Sequence, residues 1–218
     1  TQVDYALGRI FGCLRENDLF KNTWVIFTAD HGEMLGDHHM SQKNLFFEGS
    51  AHVPLLIMPP QGRSLPQNIS VEAPADLVDL YPTILAMAGL SSPVSVSGKN
   101  LLEPVPMDRI FFGNSLNRNF CVMEEKVKLV YSATGDHVLL FDLNTDPMEQ
   151  HNLAEDPAWQ ERKAKLWKLL LEHTAQYTPE ALDENGQFLT YEAPHFPGDV
   201  PGRWFGFHYH DYSVDTFH

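Results

Sequence analysis

A carboxylate, an imidazole and a glycine stand together at Asp30-His31-Gly32, and further acids and imidazoles follow at Glu33, Asp37, His38 and His39. Carboxylates are hard oxygen donors suited to Ca²⁺ or Mg²⁺, and an imidazole beside them widens the choice to Mn²⁺ or Zn²⁺. The same tripeptide also serves as an ordinary polar turn after a strand, with exposed histidines. Position favours chemistry. The cluster follows directly on a short apolar run, Trp24 to Phe27, of the kind that forms a strand buried on both faces. In open α/β sheets, ligands bind beyond the carboxyl ends of parallel strands. Because Asp30 and His31 are neighbours, a turn must aim both side chains at one point. Gly32 is expected to supply it through backbone angles closed to other residues.

The elements that position this cluster follow from periodicity. Val3, Ala6, Leu7, Ile10, Phe11 and Leu14 recur at helical spacing, so residues 2–17 are expected to form an amphipathic helix packed on the sheet. Helix then buried strand (24–28) is half of an α/β repeat, with partner strands expected upstream. The loop from Gly32 to Ala51 is long for a compact domain, and long ordered loops are usually functional. Val53 to Met58 reads as a second buried strand, stopped by Pro59-Pro60. Asp76 to Gly89 has the signature of a helix, with Asp79 as N-cap, Pro82 in the first turn, Gly89 at the end and a core face of Leu80, Ile84, Leu85 and Ala88. After a Ser/Pro/Gly-rich stretch (91–106) come four short β-like runs, at 110–112, 120–123, 128–131 and 138–141, spaced as an antiparallel meander. Asp156-Pro157 opens a last helix with Trp159, Leu166, Trp167, Leu170, Leu171 and Thr174 on its buried face. The aromatic- and histidine-rich tail from Thr178, including His208 and His210, is expected to wrap the body.

Composition narrows the function classes. The chain has 218 residues, 43% of them hydrophobic, enough for a substantial core in one or two domains. Its formal net charge is −14, from 29 acidic and 15 basic residues, which argues against nucleic acid and anionic membranes as partners. An anionic ester would be repelled too, unless a cation and a lysine supplied local positive charge. No apolar stretch is long enough to span a membrane, and no charged-then-apolar leader opens the sequence. The chain begins with Thr1, as processing or a missing upstream portion would both explain. The two cysteines, Cys13 and Cys121, lie in apolar surroundings and are expected to be buried free thiols.

Thr28-Ala29-Asp30-His31-Gly32-Glu33-Met34-Leu35-Gly36-Asp37-His38, then Lys43, Glu48-Gly49 and Val53-Pro54-Leu55-Leu56-Ile57, resembles the metal-site segment of the sulfatase family in the alkaline-phosphatase superfamily. Asp142 to Ala154 resembles a stretch of the same family's C-terminal subdomain, where Asp146-Pro147 is turn chemistry and the acids and His151 are structural. The resemblance implies that Asp30 and His31 are metal ligands, Ca²⁺ being favoured, and that His38 lines the active site. It also implies that Lys43, thirteen positions past Asp30, binds the substrate's sulfate.

The implied fold is α/β: the C-terminal part of an alkaline-phosphatase-like sheet flanked by helices (1–104), a small antiparallel β subdomain with a long helix (105–177), and the tail (178–218). The family's nucleophile is a formylglycine made within Cys-x-Pro-x-Arg, and neither Cys13-Leu-Arg-Glu-Asn nor Cys121-Val-Met-Glu-Glu fits that motif. The expectation is therefore a sulfuric ester hydrolase portion that carries half of a divalent metal site and acts on a small-molecule or carbohydrate sulfate ester. Its nucleophile and remaining ligands are expected on an N-terminal part of the same protein, and the chain alone is expected to be inactive. Two alternatives stay open: a phosphonate monoester or phosphodiester hydrolase of the same superfamily, and a non-catalytic module that kept the fold.

Overall fold

The computed structural model describes residues 2–40, 43, 46–63 and 69–192. The histidines at 208 and 210 and the rest of the tail beyond Glu192 lie outside the described residues. The chain is mixed α/β and forms two compact units that interleave along the sequence: Thr1–Asp30 with Val53–Pro106, and His31–His52 with Met107–His218. Among the described residues, no helix is long and apolar enough to cross a membrane.

In the first unit, α1 (Gln2–Glu16) precedes β1 (Val25–Thr28), which pairs antiparallel with β2 (Leu55–Met58) so that Thr28 faces Leu55. The excursion between the strands leaves and returns at the same end of the pair, which makes them antiparallel. A parallel neighbour would need a crossover to the far end. Neither strand is buried on both faces as the apolar runs predict. β1 is half-buried throughout, and β2 alternates, leaving Leu56 58% exposed. A two-stranded ribbon has too few neighbours to bury both faces.

The helix also departs from expectation. No residue of α1 is buried; Leu7, Phe11 and Leu14 are half-buried, whereas Val3, Ala6 and Ile10 face solvent. Phe11 meets Phe20 at 6.2 Å between ring centroids, so the helix closes on the turn that follows it. Cys13 is exposed rather than buried, because it lies outside the narrow 7/11/14 stripe.

Farther on, α3 (Leu80–Met87) is entered through a 3₁₀ turn at Leu77–Asp79; Asp79 stands at the N-cap position of α3 as expected, but its side chain makes no cap there and instead closes a capping box with Asp76, the N-cap of the turn. Asp79 is wholly buried in the third helical position. Its carboxylate accepts the N–H groups of Asp76 (2.8 Å) and Lys99 (2.7 Å). Pro82 and Thr83 are the buried residues of α3, while Ile84 and Ala88 are exposed. Gly89, at φ +74°, ends it as expected.

In the second unit, β3 (Phe111–Ser115), β4 (Asn119–Glu124), β5 (Val127–Ser132) and β6 (His137–Asp142) form the antiparallel meander that the four runs predict. Period-two alternation divides its side chains between two cores. Phe120, Val122, Leu129, Tyr131 and Leu140 share one core with Leu166 and Leu170 of α4 (Gln160–Tyr177), whose N-terminal turn is capped by Asp156 accepting from Ala158 N–H at 2.8 Å. Phe188 packs between Tyr131 and Trp167, and Tyr191 bonds to the main chain of Ala133 and Gly135, so the described start of the tail lies on this core. The second core joins Cys121, Val130, Leu139 and Phe141 to Met34, Met40 and Phe47. Met34, Met40 and Phe47 of the histidine-bearing segment thus pack on one face of the meander, and α4 packs on the other.

Candidate functional site

The described residues at the two ends of the segment from Gly32 to Ser50 are held by tight main-chain contacts. Gly32 donates its N–H to the Ser50 carbonyl at 2.7 Å, closing the segment into a loop. A Cβ at Gly32 would collide with the backbone carbonyl of Gly49. Glycine is required there by close approach, and not by the left-handed backbone expected from the sequence. The left-handed residues lie farther on, at Leu35 (φ 50°), Gly36 (φ 106°) and His38 (φ 53°). Around them, Asp37 N–H reaches Met34 O at 2.8 Å and Met40 N–H reaches Asp37 O at 2.9 Å. Met34 and Met40 are buried, 1% and 4% exposed, and pin this turn to the sheet.

The four candidate residues are placed as follows. Asp30 is exposed and ends the first stretch of the first unit, two residues beyond β1. His31 opens the second unit, half-buried, and its Nδ1 donates to its neighbour's carbonyl, Gly32 O, at 2.8 Å. A carbonyl oxygen can only accept, so Nδ1 carries the proton in this contact. His38 is half-buried and stacks on Phe47, with centroids 4.2 Å apart and planes within 19°; Phe47 leans on Phe141 of β6. A non-glycine residue held in left-handed geometry is strained, and such strain collects at functional positions. Lys43 is exposed, and its carbonyl accepts the Ser50 hydroxyl at 2.6 Å, so the main chain is anchored while the ammonium stays in solvent. His31, His38 and Lys43 therefore share one segment, whereas Asp30 is described with the other unit.

A carboxylate and an imidazole are donor types that suit a divalent ion. Among the described residues, no group of three or more His, Cys, Asp or Glu side chains could hold one. The residues present fit part of a coordination shell and do not complete it.

One functional candidate, Lys128, escaped the sequence reading. Lys128 stands in the middle of β5, 3% exposed, and its three donors meet Phe46 O (2.8 Å), Glu48 Oε1 (2.5 Å) and Glu149 Oε1 (2.8 Å). Glu149, likewise buried, accepts the Glu48 N–H through its other oxygen at 2.7 Å. Burial works to lower the Lys128 pKa, but the negative groups around it, the Glu149 and Glu48 carboxylates among them, hold it above its ordinary value. The available signal was a lone charge in Val127-Lys128-Leu129-Val130, an apolar strand in which a lysine needs partners. Cys121, beneath the same cluster, has its pKa pushed up to about 12, chiefly by burial, so its thiol is no nucleophile at neutral pH.

Residues 1–90 match the family model described as Sulfatase. The chain is 34% identical over 174 residues to arylsulfatase K of Xenopus laevis, covering 71% of this chain and 32% of that protein. It is 33% identical over 184 residues to the uncharacterized sulfatase YidJ of Escherichia coli, covering 78% of this chain and 36% of the relative. Among solved structures, the phosphonate monoester hydrolase of Agrobacterium radiobacter superposes with a TM-score of 0.65 at 31% identity, over 84% of this chain and 42% of that one. The chain thus spans about a third of the length of these curated relatives.

Proposed function

We propose, from the premise that the chain belongs to the sulfatase family through residues 1–90, that it contributes to a sulfuric ester hydrolase. The carrying observation is that the matched span contains Asp30, His31, His38 and Lys43 together. In this reading, Asp30 and the Nε2 of His31 hold a divalent cation, Ca²⁺ by family resemblance. When bound, that ion supplies charge stabilisation at the ester's oxygens. Lys43 brings a compact charge with three donors to sulfate oxygens that gain negative charge as the ester bond breaks. In an acidic chain, it also offsets the field that would repel an anionic substrate. His38, held flat on Phe47, lines the same place and presents an imidazole edge to the substrate.

The nucleophile and the remaining donors belong, in this proposal, to sequence outside these 218 residues, and the chain alone does not turn over. The substrate is a small-molecule or carbohydrate sulfate ester. A second reading, hydrolysis of a phosphonate monoester, is favoured by the 31% identity to the Agrobacterium enzyme. Parallel assay of the complete protein on an aryl sulfate and an aryl phosphonate monoester separates the two. A larger kcat/KM on the sulfate is expected; the reverse preference selects the second reading, and activity on neither overturns both.

A further inference from the structure

We propose that Lys128 is a positioning residue: its buried ammonium, gripped by Glu48, Glu149 and the Phe46 carbonyl, holds in place the segment that presents His38 and Lys43. What that segment does rests on the hydrolase reading; what holds it rests on these contacts alone.

A lysine in the interior of a sheet is a poor way to gain stability. Taking its charge and a carboxylate out of water costs several kcal/mol, and well-packed apolar replacements for buried ion pairs are often neutral or stabilising. What a buried pair supplies instead is direction. Apolar packing between the segment and the meander is non-directional, and Met34 and Met40 would tolerate sliding over Val130 and Leu139. The lysine does not permit it. Two of its three acceptors belong to the segment, and the third, Glu149, returns to the segment through the Glu48 N–H. All three bonds thus converge on residues 46–48. The edge strand β3 of the same sheet enforces the same register, because a Cβ at Gly113 would strike the ring of Phe46. Phe47, next in the chain, is the ring on which His38 stacks.

The test compares stability with local order and turnover. In Lys128→Met/Glu149→Leu, the buried charges leave together and the apolar core is preserved. The melting temperature should stay near that of the native protein. The amides of Gly32, Asp37, Met40 and Ala51 should nevertheless exchange with solvent at least roughly tenfold faster, while those of β4 and β5 change little. In the complete enzyme, kcat should fall with KM nearly unchanged. Glu48→Ala alters no sheet residue and so guards against a double variant that fails to fold. It should loosen the same amides, with a limited fall in melting temperature because the buried ammonium keeps Glu149 and loses one acceptor. Segment protection retained in Glu48→Ala, or restored with the melting temperature in the double variant, overturns the proposal. Lys43→Ala serves as the control for the hydrolase reading. If it leaves turnover unchanged, that reading fails, and the exchange data still decide whether Lys128 holds the segment.

Discussion

Replacing Gly32 with alanine tests whether the turn after Asp30 exists for close approach rather than for backbone freedom. The added Cβ would overlap the Gly49 carbonyl oxygen, and restoring an ordinary C···O separation of about 3.3 Å requires a displacement of about 1 Å. Neither side yields easily. Gly49 sits inside α2 (Glu48–Ala51), whose neighbour Glu48 is bonded to Glu149, and Gly32 is tied to Ser50 by the 2.7 Å hydrogen bond. A 1 Å shift breaks that bond, a loss of about 0.5–1.5 kcal/mol, in addition to about 1–3 kcal/mol for overpacking. The expected destabilisation of the second unit is therefore about 1.5–4.5 kcal/mol. Urea unfolding followed by tryptophan fluorescence measures it, since Trp159 and Trp167 report on that unit's core. Gly8→Ala provides the contrast. It lies within α1, nothing stands within 4 Å of its Cβ, and alanine there should stabilise by about 0.5–1 kcal/mol. A Gly32→Ala protein within about 0.5 kcal/mol of native would refute the close-approach reasoning.

Three further outcomes are expected. Lys43→Ala in the complete enzyme should lower kcat/KM by about 10²–10³, the cost of removing one stabilising donor, and leave the melting temperature unchanged because the side chain is exposed; steady-state kinetics beside a thermal melt reads both. Asp30→Ala should abolish bound metal and activity together, and His31→Ala should reduce both heavily; metal analysis of the purified variants showing native content would count against the ligand roles. His173 stacks flat on Phe112 at 3.9 Å, and burial lowers its pKa. The unfolded chain therefore takes up its proton first, so this stability is complete above about pH 6.5 and is lost as pH falls through the folded value. His173→Phe, which keeps the stack, should flatten the decline of unfolding free energy between pH 6.5 and the carboxylate range, and an unchanged slope would show that another group is responsible.

The legible parts of this chain were those set by local rules. The four strands of the meander carry their alternation and turns in the sequence, and α4 announces itself with Asp156-Pro157 and an apolar stripe. Errors fell where tertiary surroundings decide. An apolar run such as Val25 to Phe27 says that cover is wanted, but not how many strands supply it, and β1 has one partner strand among the described residues. Asp79 looked like a cap because it precedes Pro82. Its side chain is instead a buried acceptor that gathers two main-chain N–H groups from either side of α3. Gly32 was legible as necessary, though for the wrong reason, since close approach by a residue seventeen positions away leaves no local trace. Lys128 could not be assigned, because both partners of its ion pairs are distant in sequence.

The two stretches with family character, 28–57 and 142–154, look unrelated along the chain, one rich in chemistry and the other in turn residues. The second unit joins them. The turn begun by Asp146-Pro147 delivers Glu149 in left-handed geometry, φ 55°, to a buried position where its carboxylate takes the Lys128 ammonium on one oxygen and the Glu48 N–H on the other. Holding a non-glycine residue there costs energy, and the surrounding contacts must over-determine it. The acid that reads as structural in sequence is therefore structural for the histidine-bearing segment. This makes the meander more than an appendage. A catalytic group must be held to within about 0.5 Å to be useful, and a long loop on its own cannot achieve that. Strands β4 to β6, clamped from behind by α4, supply the rigid floor, and the Lys128 cluster converts that rigidity into a defined position for residues 46–48. Selection on the candidate site would then act on residues of the meander that touch neither substrate nor metal.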